Sequence, residues 1–79
     1  MTAPAPMSAK EYEACRQAVS ELSQVQFGAW LGASPRQAQR LSSGEAAPPL
    51  AIVKLLRLMV DLGLTVEDVD KTTATRAKG

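Results

Sequence analysis

Between residues 8 and 71 the apolar positions recur every three or four residues, and no stretch alternates strictly enough for a strand. Phe27 and Leu31 are four apart and share a helix face. Ala38 and Leu41 are three apart and do the same. The spacing predicts five helices, over 8–21, 24–31, 35–43, 49–62 and 66–71. Their starts are marked by side chains that can satisfy the free N–H groups of a first turn. Ser8-Ala9-Lys10-Glu11, Ser23-Gln24-Val25-Gln26 and Ser34-Pro35-Arg36-Gln37 each have the form of a capping box, and Thr65-Val66-Glu67-Asp68 is a weaker fourth. Pro35 falls at a first helical position, where its missing N–H costs nothing. Gly32, Gly44 and Gly63 stand where helix ends favour a left-handed residue.

The second and third helices are too short to be stable alone in water. They need a packing partner, and the segment Leu50 to Leu62 supplies one. Its only charges are Lys54, Arg57 and Asp61, three and four residues apart, which form one narrow polar stripe. The rest is apolar, so this helix is expected to be covered on more than one side. The fold class expected is all-α, a compact five-helix bundle.

Composition narrows the chemistry. The chain has 79 residues, a size at which a single small core is marginal. One cysteine, Cys15, excludes an internal disulfide. With no histidine, the usual zinc clusters and the commonest general base are also excluded. No glycine-rich phosphate loop and no carboxylate pair on a cleft can be found, so the chain does not read as an enzyme and implies no cofactor, metal or small-molecule substrate. No 18-residue apolar run points to a membrane, and residues 1–7 lack the basic and apolar regions of a signal peptide. A cytoplasmic location is expected, with Cys15 reduced and packed beside Val19 and Leu22. Residues 1–7 read as a disordered extension, 8–71 as the domain and 72–79 as a flexible basic tail, whose Arg76 and Lys78 could add phosphate contacts.

Within the domain, Gln24 to Leu41 has the pattern of a helix-turn-helix. Small Gly28 allows close approach of a neighbouring helix, Gly32 permits a tight turn, and Ser34 starts the next helix. The whole run Leu22-Ser23-Gln24-Val25-Gln26-Phe27-Gly28-Ala29-Trp30-Leu31-Gly32-Ala33-Ser34-Pro35-Arg36-Gln37-Ala38-Gln39-Arg40-Leu41-Ser42-Ser43-Gly44 resembles the phage-repressor/Cro-type (XRE-like, lambda-repressor-like) helix-turn-helix family. With flanking helices the resemblance spans about residues 9–70. It implies a five-helix, lambda-repressor-like bundle that binds double-stranded operator DNA and represses transcription. The chain departs from the family where Leu41-Ser42 replaces the common Trp-Glu and Gly28 replaces the usual Ala. Without that Glu a buried polar anchor is lost, and the first helix must pack differently.

Charge is unevenly placed. Residues 22–44 hold Arg36 and Arg40 and no acid, whereas 45–70 hold Lys54 and Arg57 against Glu45, Asp61, Glu67, Asp68 and Asp70. With Ala38 and Leu41 turned inward, Arg36, Gln37, Gln39 and Arg40 are the candidates for base contact. Arginine can pair with guanine O6/N7 and glutamine with adenine N6/N7. Solvated surface positions are the ordinary alternative, and Gln37 is also needed by its capping box. Gln24, Ser34 and Ser43 are the candidates for phosphate contact, with simple capping the alternative. Trp30 is expected on the outer side of the second helix, packing against a loop or the first helix, with contact to the DNA backbone or a partner the alternative. Leu55, Leu58, Met59 and Leu62 offer more apolar surface than a small core absorbs and are the expected homodimer interface. The competing arrangement has the fifth and first helices cover them.

Two functions follow as expectations. One is a small sequence-specific transcriptional repressor that occludes a promoter with helix 35–43 in the major groove. The other is a protein-interaction module, such as an antitoxin or regulatory adaptor, that binds a protein partner through helix 49–62.

Overall fold

The computed structural model describes residues 6–77, with side chains described to residue 74. All of its regular structure is helical: α1 (Ala9–Val19), α2 (Gln24–Trp30), α3 (Pro35–Ser43), α4 (Leu50–Leu62) and α5 (Val66–Ala77). The starting positions follow the capping residues. Ser23 and Ser34 each accept from the third backbone N–H, while Gln26 and Gln37 reach back to the cap N–H, so both boxes are complete. Thr65 and Asp68 close the same reciprocal pair, with Asp68 Oδ2 3.0 Å from the Thr65 N–H nitrogen and Thr65 Oγ1 3.2 Å from that of Asp68. The Thr65 contacts hold the Asp68 carboxyl below its ordinary range. The Ser8 box is only half made. Ser8 caps the Glu11 N–H, but the Glu11 carboxylate turns away to Arg57 on α4, at 2.8 Å.

Two expectations about the ends are corrected. Met7, assigned to a disordered extension, is buried in the core, where an apolar thioether gains more from contact than from solvent. Helix α5 continues to Ala77 rather than stopping at 71, so the tail expected from residue 72 is helical over 72–77. Thr72 and Thr73 do not break it, because each hydroxyl donates to a carbonyl one turn back, Asp68 and Val69 respectively. Residues 1–5, the side chain of Arg76 and all of Lys78 lie outside the described residues.

The core gathers one stripe from each of the first four helices. Tyr12, Cys15 and Val19 come from α1, Phe27 from α2, Ala38 and Leu41 from α3, and Val53, Leu56 and Met59 from α4. Helix α1 packs on both α3 and α4, and α2 packs on α3. Tyr12 and Phe27 meet edge to face with ring centroids 6.0 Å apart. Helix α5 caps this core with half-buried Val66 and Val69. Met59, expected at a homodimer interface with Leu55, Leu58 and Leu62, is instead a core residue. It is wholly buried, because it lies on the α4 stripe that faces the core. Leu55 is half-covered, while Leu58 and Leu62 are 54% and 64% exposed.

Trp30 is also placed differently. It stacks on Phe27 at 5.9 Å, and its indole N–H donates to Asp70 of α5 at 2.7 Å. Its aromatic and hydrogen-bond partners lie on α2 and α5. It is the pin that fastens α5 to α2, and the extra helical turns of α5 add Thr73 to the same surface. No described helix is long and apolar enough to cross a membrane.

Candidate nucleic-acid interface

Helices α2 and α3 are joined by four residues, Leu31 to Ser34. The Gly32 N–H donates to Ala29 and the Ala33 N–H to Gly28, which closes α2 and turns the chain. Gly32 has φ +88°, a left-handed conformation that a side chain resists. The close approach expected at Gly28 is present. A Cβ there would overlap the Ala38 methyl and stand 3.1 Å from its Cα. Glycine on α2 thus sets how near α3 can lie, and Ala38 and Leu41 are seated inward as a result.

Seating those two residues decides what α3 shows to solvent. Arg36, Gln37, Gln39 and Arg40 are all exposed, and α3 carries no acid. Arg36, Gln39, Arg40, Ser43 and Glu45 line a shallow depression of about 280 Å³. The structure therefore gathers three of the four base-contact candidates on one surface. Gln37 stands apart. Its carbonyl oxygen accepts from the Ser34 N–H at 3.3 Å, and the side chain lies toward the α3–α4 side with Leu31 and Leu41. Reading adenine needs that same oxygen and the amide nitrogen together, so Gln37 would have to share or release its cap.

The three phosphate-contact candidates are committed to bonds within the chain. Ser34 Oγ accepts from the Gln37 N–H. Ser43 Oγ donates to the Arg40 carbonyl at 3.2 Å. The Gln24 amide donates to Glu13 at 2.8 Å. Each remains exposed, so a phosphate could be met only by exchange of an existing bond.

Two functional neighbours escape a reading of the sequence. The first is Glu45. Gly44, at φ +89°, folds the chain back so that the Ala46 N–H reaches the Arg40 carbonyl, and this returns Glu45 to the α3 surface. Its carboxylate is 3.7 Å from Arg40 Nε, with both side chains at least half exposed. Such a loose, solvated pair is worth little energetically, so Arg40 is held only weakly. The left-handed Gly44, four residues after Arg40, is the signal that could have found it.

The second is Glu13, which ties three helices together. Its carboxylate accepts from Arg16 at 2.9 Å, from Gln24 at the start of α2, and from Ser42 Oγ on α3 at 3.2 Å. Arg16 also donates to the Leu22 carbonyl at 2.7 Å. Arg16, then Gln24 and Ser42, hold the Glu13 carboxyl below its ordinary value of 4.5, against partial burial. Ser42 thus takes part in a polar contact that joins α3 to α1. The acid sits on α1 and the small hydroxyl on α3. The Glu13–Arg16 spacing was legible, but the Gln24 and Ser42 partners are 11 and 29 residues away.

Cys15 is buried as expected, and burial pushes its thiol up, away from the reactive thiolate. Among the described residues no group of histidine, cysteine, aspartate and glutamate could hold a metal ion. No protein-family model matches the chain, and no curated protein and no solved structure matches it.

Proposed function

We propose that this protein binds double-stranded DNA in a sequence-dependent manner, with α2 and α3 acting as a helix-turn-helix and α3 lying in the major groove. The observation that carries the reading is the outer face of α3. It presents Arg36, Gln39 and Arg40 together, without an acid of its own, on a helix held rigidly from behind by the Gly28–Ala38 contact. A helix fits that groove, and arginine and glutamine match the base edges it displays. Glu13 acts as a positioning residue, since it locks α1, the start of α2 and α3 into one unit. Arg40 exchanges its weak Glu45 contact for DNA. On this reading the protein works in the cytoplasm as a repressor that excludes other proteins from its operator.

The test is binding of the purified protein to duplexes from upstream of its own gene beside random duplexes, over a range of salt. Selective binding that weakens steeply with salt is expected, because each phosphate contact releases counterions. Arg36→Ala should cost about 1–3 kcal/mol on the selected site and relax the preference at one base pair. Absence of binding to any duplex at low salt, or an Arg36→Ala protein indistinguishable from wild type, would refute the assignment.

A second reading, a protein-interaction module, rests on the exposure of Leu58 and Leu62 on α4. Trp30 lends it nothing, since its indole is spent on Phe27 and Asp70. Binding of a partner protein with no affinity for DNA would favour this second reading.

A further inference from the structure

The outer face of α4 has an arrangement that the DNA reading does not use. Leu58 and Leu62 are more than half exposed, large aliphatic side chains on a helix whose opposite stripe already fills the core. At 3.6 residues per turn, Ala51 and Leu58 form the centre of that face. Lys54 and Asp61 lie along one flank, one turn before and one turn after Leu58. Leu55 and Leu62 lie along the other. Lys54 and Asp61 are both exposed. Arg57, between them in sequence, is drawn aside to Glu11 on α1 at 2.8 Å and leaves the flank to the other two.

We propose that this face docks a second copy of the chain, with the two α4 helices antiparallel about a twofold axis that passes between residues 57 and 58. The charges select this occupant. Lys54 and Asp61 are placed symmetrically about that point, about 10 Å apart along the helix. A twofold axis of this kind brings the same flank of both helices together and reverses their direction. Lys54 of each copy therefore meets Asp61 of the other, twice over. Leu58 meets its own counterpart across the axis, and Leu62 falls between Ala51 and Leu55 of the second copy. A parallel pair has its twofold axis along the helices and brings opposite flanks together, so Lys54 and Asp61 would lie against the Leu55 and Leu62 flank without meeting a charge, and only the antiparallel pairing satisfies them. An isologous contact of this kind closes on itself as a dimer. A single pair of 13-residue helices makes a small interface, so the dimer is reversible and depends on concentration.

The proposal does not rest on DNA binding and is tested without DNA, by sedimentation equilibrium of the full chain from micromolar to millimolar concentration, with circular dichroism as a check on folding. Wild type should dimerise reversibly. Lys54→Asp and Asp61→Lys should each remain helical and weaken self-association at least tenfold, because each places two pairs of like charges at the contact. Mixing these two variants in equal amounts should restore dimers, since every Asp then meets a Lys. The double variant carrying both substitutions should also dimerise, within about threefold of wild type. A chain that stays monomeric throughout would overturn the proposal. So would a dimer indifferent to either substitution, or variants that fail to rescue each other on mixing.

Discussion

The outer faces of α3 and α4 are both solvent-exposed, yet they are built on opposite terms. Helix α3 is nine residues long, capped at its start by Ser34 and Gln37 and stopped by Gly44. It buries only Ala38 and Leu41 and leaves arginine and glutamine outside. Helix α4 is 13 residues long, has no side-chain cap at Pro49, and buries Val53, Leu56 and Met59 while still exposing leucine. A short helix with two inward residues depends on its neighbours for existence, so its inner contacts must be close and its polar bonds complete. A long apolar helix is secured by burial on one side and has apolar surface remaining on the other. The difference teaches that the tight packing in this molecule is concentrated behind α3, and the surplus apolar surface on α4.

The comparison can be broken most forcefully at Gly28. Replacement by alanine gains up to about 1 kcal/mol of helix propensity. It also forces a methyl into Ala38, and overpacking of this kind costs about 1–3 kcal/mol. Gly28→Ala should therefore lower stability in chemical denaturation, and adding Ala38→Gly should recover part of the loss. A Gly28→Ala protein more stable than wild type would show that α3 is not held by this contact.

Glu13 sharpens the comparison next, because it joins three helices around α3, whereas the Glu11–Arg57 pair at α4 joins only two. Glu13→Gln should cost about 1–2 kcal/mol at neutral pH, as hydrogen bonds to a charged group are lost or weakened. Because the folded protein holds this carboxyl below its ordinary value of 4.5, its contribution is present above that pH. It disappears as the pH falls through the depressed folded value. The stability difference between wild type and Glu13→Gln should thus close on acidification below about 4.5. A difference that stays constant into acid would mean that the charge is not what binds the three helices.

The smallest effect is expected at Tyr12, on the helix that packs against both regions. Its ring is fully buried, and its hydroxyl has no hydrogen-bond partner among the described residues. Burial, then the neighbouring Glu13 charge, pushes the phenol up from its ordinary value. An unsatisfied buried hydroxyl carries a desolvation cost. Tyr12→Phe should leave melting unchanged or raise stability by about 1 kcal/mol, and a clear loss would reveal a partner for the hydroxyl.

The sequence by itself determined the number and kind of elements, because the information for them is local. Ser23, Ser34 and Thr65 act within three residues, and Gly32 and Gly44 act at a single φ angle. Periodicity likewise placed Phe27, Ala38 and Leu41 inward, and the outward display of Arg36, Gln39 and Arg40 followed from it. Tertiary structure alone decided which partner each remaining polar group took. Glu11 left its expected cap for Arg57, 46 residues away. Trp30 found Asp70 across 40 residues on a helix that outran its expected end, and Met59 proved to be core while Leu58 beside it did not. Such pairings depend on how whole helices dock, through many weak apolar contacts acting together, and no spacing along the chain encodes them.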